Sequence, residues 1–109
     1  MKWVKRALPL LQALGKVREN ERRIILANLD DEGCQYICDA IKHVITSKLL
    51  PRRKKNRLRE LLRENKKHYR YLTKPKNSKR NKKKLLPRLG AGLGAILSIA
   101  IPLLLSLLR

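Results

Sequence analysis

Apolar residues recur at helical spacing through four segments of the chain and then fill a fifth without a break. In the first, about Val4 to Leu14, the residues Ala7, Leu10, Leu11 and Leu14 share one face, and Gly15 is a plausible stop. Pro9 falls inside that run, so the helix is expected to start near Leu8 with Pro9 in its first turn. The second, Asn20 to Leu29, offers Asn20 as a cap and places Ile24, Ile25 and Leu29 on its apolar side. The third has the clearest stripe: Cys34, Ile37, Cys38, Ile41, Val44 and Ile45, behind a cap at Asp30 or Asp31 and ahead of Pro51. The fourth, about Arg52 to Thr73, marks a face with Leu58, Leu61, Leu62, Tyr69 and Leu72. Asn65 and His68 interrupt it, so its second half is held less firmly.

The fifth segment differs in kind. Leu89 to Leu108 carries no charge, and twenty residues span ~30 Å as a helix, the thickness of a bilayer core. Its membrane-facing candidates are Leu89, Leu93, Ile96, Leu97, Ile99, Ile101, Leu103, Leu104, Leu105, Leu107 and Leu108. Pro102 and three glycines weaken insertion, and Gly90-x-x-x-Gly94 permits a close helix contact. Three readings stay open: a C-terminal anchor, a membrane-disrupting segment exposed at one stage, or a segment buried against another protein. The pattern predicts an all-α fold of three parts. Residues 1–72 form a helical head of about four helices, 73–88 a basic disordered tether, and 89–109 a hydrophobic helix.

Charge sharpens this picture. The net charge of +20 is concentrated between Lys42 and Arg88, where 20 Lys/Arg face only Glu60 and Glu64. Solubility alone tolerates mixed signs, so this one-sidedness points to a polyanion. The candidate contacts are Arg52, Arg53, Lys54, Lys55, Arg57, Arg59, Arg63, Lys66, Lys67 and Arg70 on the fourth helix. The tether adds Lys74, Lys76, Lys79, Arg80, Lys82, Lys83 and Lys84. Such a tether also suits a nuclear-import signal or anionic lipid heads. Binding without base reading is the natural use of such a surface.

Catalytic chemistry finds no footing in the sequence. Cys34 and Cys38 lack the second pair that a metal site needs and read as two buried thiols. Asp39 and His43 read as an ion pair, and no phosphate loop, nucleophile elbow or paired-carboxylate motif is present. The expectation is a non-enzyme with no cofactor and no metal. A signal peptide is disfavoured at the N-terminus, because the apolar run is broken by Pro9 and Gln12.

The order of parts carries a resemblance. LPLLQAL leads into Arg22 to Leu26, then an apolar helix before KLLP, then KKNRLRELLREN, a lysine run and LGAGLGAILSIAIPLLLSLL. This resembles the small basic virion proteins of adintoviruses and polinton-type elements, regarded as counterparts of the adenovirus core peptide X (mu). The resemblance implies a virion protein that condenses double-stranded DNA through Arg52 to Lys84, with a membrane-active tail during entry. The expected partners are therefore double-stranded DNA, and a membrane or capsid protein through the tail; self-association into a homo-oligomer stays open. The expected setting is the virion and the host nucleus or membrane. The rival expectation is a tail-anchored or membrane-disrupting protein whose basic segment holds anionic lipid.

Overall fold

A computed structural model describes residues 2–108; Met1 and Arg109, the outer ends of the expected head and tail, lie outside the described residues. The all-α expectation holds. Among the described residues the chain forms α1 (Lys2–Lys16), α2 (Glu19–Ala27), α3 (Asp31–Thr46), α4 (Arg52–Arg63), α5 (Lys66–Thr73) and α6 (Lys79–Leu85). A 3₁₀ turn (Leu86–Leu89) then leads into α7 (Gly90–Ser106).

The helix at the centre is α7. Its apolar residues run round most of its axis rather than along one stripe, and Leu93, Ile96, Leu97, Ile99, Leu103 and Leu104 are buried while Ser98, Pro102 and Leu105 keep one face open. α1, α2, α3 and α4 pack against it, each contributing an amphipathic face. One cluster of buried side chains runs from Val4 through Ile37, Leu58 and Tyr69 to Leu104. The expected division into 1–72, 73–88 and 89–109 therefore does not coincide with a break in packing. At 17 residues, α7 is ~25 Å long. No single helix among the described residues is long and apolar enough to cross a membrane.

Local signals explain most boundaries. Asp30 caps α3 by accepting a 2.7 Å hydrogen bond from the Gly33 amide, with Asp31 and Glu32 in the first turn against the helix dipole. Three expectations need correction. α1 begins at Lys2 and carries Pro9 in its interior, because Pro9 and Lys5 both face outward and the missing hydrogen bond falls on the solvent side. The expected fourth helix is two helices, α4 and α5, parted at Glu64 and Asn65 where the stripe lapses. The expected tether is ordered. Asn77 donates to the Tyr71 carbonyl (2.8 Å), and the Ser78 hydroxyl accepts from the Asn81 amide (3.2 Å) to start α6, which Leu86 then anchors in the core.

Candidate nucleic-acid interface

Folding around α7 turns the charged positions outward. Of the seventeen expected contacts, fourteen are exposed: Arg52, Arg53, Lys54, Arg57, Arg59, Arg63, Lys66, Lys67, Arg70, Lys74, Lys76, Lys79, Arg80 and Lys84. Lys55 and Lys83 are half-buried. Lys82 is 4 % exposed, lines one hollow with Cys38, Asp39 and Leu72, and is withdrawn from the surface. Lys83 forms a salt bridge with Asp31, which holds the Asp31 carboxyl below its usual range and raises the Lys83 ammonium. The other salt bridge among the described residues is Arg23–Glu19, outside the basic region. The fourteen exposed cations thus stand without carboxylate partners among the described residues.

The start of α4 shows how strongly this region is biased. Its first turn holds Arg52, Arg53 and Lys54 and no acid, although the dipole at a helix N-terminus favours negative charge. The sequence accepts a local cost there to keep cations on the surface.

The tail residues lie elsewhere. Leu89, Leu93, Ile96, Leu97, Ile99, Leu103 and Leu104 are buried in the core; Ile101, Leu107 and Leu108 are half-buried; Leu105 is 40 % exposed. In this conformation the apolar segment is covered by its own chain.

Arg22 secures that cover, a role the sequence does not announce. It is 9 % exposed, and its guanidinium donates to the carbonyls of Leu14 (2.9 Å), Val17 (3.0 Å) and Gly90 (3.1 Å). One side chain thereby ties the end of α1 and the α1–α2 link to the start of α7. The two glycines of the G-x-x-x-G pattern make room for α2. A methyl group at Gly94 would stand 2.5 Å from the Arg22 guanidinium carbon, and one at Gly90 would stand 2.7 Å from Arg23 Cγ. The signal was in the spacing of the glycines; the partner is a pair of arginines rather than a second apolar helix.

Other expected groups settle as follows. Cys34 and Cys38 are buried free thiols one turn apart on α3. A hydrogen bond from Cys38, aided by Lys83 and Lys82, brings the Cys34 thiol down to about 7, whereas that bond and burial push Cys38 up. The expected Asp39–His43 ion pair does not form. Asp39 accepts from Gln35 Nε2 (2.8 Å), and the His43 ring lies edge-on to Trp3.

Tyr69 is 1 % exposed, and its hydroxyl has no hydrogen-bond partner. Burial pushes its phenol up to about 12. Between pH ~10 and the folded value the unfolded chain ionises first, so stability falls as pH rises, by at most about 1.4 kcal/mol per unit. Tyr69→Phe removes that dependence and the unpaired hydroxyl together. The variant is expected to match or exceed the parent at pH 7 and to gain on it above pH ~10 in urea unfolding. A loss of about 1 kcal/mol at pH 7 would mean that the hydroxyl is satisfied in solution.

Comparison with protein-family models, with curated proteins and with solved structures gives no match for this chain. The reading of the site rests on its chemistry.

Proposed function

We propose that this protein binds double-stranded DNA by charge, without reading sequence, and condenses it. The observation that carries the reading is a match of charge to size. Twenty positive charges balance the phosphates along ~34 Å of duplex, and the body measures 32 × 31 × 30 Å. Molecules placed side by side along a duplex reach neutrality at about ten base pairs each, without overlap. Neutralised duplexes no longer repel one another. Exposed cations on α4, α5, the 74–78 turn and α6 leave enough of the charge on the surface for one molecule to bridge two duplexes. Packaging of a viral genome, in the virion or the host nucleus, is the setting that the family resemblance supplies.

The reading is tested by adding the full chain to long duplex DNA and following light scattering. Condensation is expected to set in sharply near one chain per ten base pairs and to reverse in high salt. DNA that stays extended well past that ratio would contradict it.

A membrane role for the tail is the second reading, and what supports it is the composition of α7, which carries no charge over its 17 residues. Because α7 is the core, such a role requires the cover of α1 to α4 to open first.

A further inference from the structure

The apolar floor between α3, α4 and α5 is a feature that binding a phosphate backbone leaves unused. A groove of about 470 Å³ lies there. Ile45 and Leu62 form its floor, with the buried Tyr69 at its edge, and Ile45 is 39 % exposed. Four cations stand round it: Arg59 and Arg63 from α4, Lys66 and Arg70 from α5. No carboxylate lines it. The trench continues past Ile45, Arg59 and Leu62 into a second hollow of about 300 Å³ beside Leu50 and Leu58, again without an acidic residue.

We propose that this groove binds a single-chain anionic amphiphile, its acyl chain along Ile45 and Leu62 and its acidic head on Arg59, Arg63, Lys66 and Arg70. Each part of the surface matches one part of that ligand. Ile45 and Leu62 give the acyl chain an apolar seat that gains by the surface it covers. Arginines in pairs suit the two oxygens of a carboxylate or the oxygens of a phosphate. The volume lies within the usual range for small-molecule sites. It equals about one turn of an α-helix 10–12 Å wide, too little to seat a partner helix along its length. The site shares Arg59, Arg63, Lys66 and Arg70 with the DNA reading and differs from it in needing the apolar floor as well as the charges.

Oleate, held below its micelle concentration, is the probe, titrated into the full chain by calorimetry. Saturable binding of one molecule per chain is expected, at least tenfold tighter than oleyl alcohol, since the alcohol loses the charge-assisted hydrogen bonds at the head. Ile45→Glu places a carboxylate in the floor and is expected to weaken oleate binding at least tenfold. Arg63→Gln with Arg70→Gln, both exposed positions, is expected to do the same from the other side and guards against a fold defect in the first variant. Equal binding of oleate and oleyl alcohol would overturn the proposal, as would non-saturable uptake or indifference to both variants. Association with anionic vesicles but not with monomeric oleate would also overturn it, pointing to a membrane surface instead.

Discussion

Arg22→Ala is expected to cost about 3–5 kcal/mol, a large part of the stability of a domain this size. The substitution removes three hydrogen bonds from a charged donor and leaves the carbonyls of Leu14 and Gly90 without that partner in the core. One such bond contributes roughly 1.5–3 kcal/mol, and three that share a single guanidinium do not add in full, so the total stays near the cost of breaking one buried charged network. Arg22→Lys is expected to recover only a minor share, because one ammonium cannot reach three carbonyls set around a planar fork. Urea unfolding midpoints measure both. Gly94 offers an internal control. Gly94→Ala overfills the contact with Arg22 and is expected to cost about 1–3 kcal/mol alone, but far less in an Arg22→Ala background. A loss under about 1 kcal/mol for Arg22→Ala would mean that α7 is held by apolar packing alone. If α7 is the membrane-active element, the same substitution also increases binding to lipid vesicles.

Reversing Arg52, Arg53, Lys54 and Lys55 to glutamate is the second large effect, and it falls on binding rather than on folding. The net charge drops from +20 to +12. If those four side chains make four phosphate contacts, affinity at 0.1 M salt falls by about three to four orders of magnitude and the salt slope shrinks by about 3.6. Stability is expected to move the other way. Acidic side chains in the first turn of α4 suit the helix dipole, each by about 0.3–1 kcal/mol. Weaker binding by a more stable protein separates the interface from the fold. Unchanged affinity and slope would place the interface on α5 and α6 instead.

How much of this was legible in the chain depends on what each signal reports. The α3 stripe and its Asp30 cap are local and complete in the sequence, so the helix stands where the pattern puts it. Exposure was legible for most basic positions, fourteen of the seventeen, because charge alone keeps lysine and arginine at the surface. What failed was the inference from composition to order. Residues 74–84 contain no apolar side chain and read as a tether, yet Ser78 supplies a cap, lysine tolerates a helix, and Leu86 just beyond pins α6 to the core. An uncharged run of bilayer length reads as a membrane segment by the same measure that describes a central core helix. The four amphipathic faces upstream read as packing on one another in a separate head, whereas α1, α2, α3 and α4 pack against α7. Arg22 could not be found this way. Its partners are backbone carbonyls at positions 14, 17 and 90, set by tertiary structure alone.

A salt titration of duplex binding by the full chain tests the central claim most directly. On a 20–30 base-pair duplex, six to ten phosphate contacts predict a linear fall of log affinity against log salt with a slope of about −5 to −9, the same for unrelated sequences. A slope shallower than about −2, or a strong preference for one sequence, would contradict binding by the exposed cationic surface.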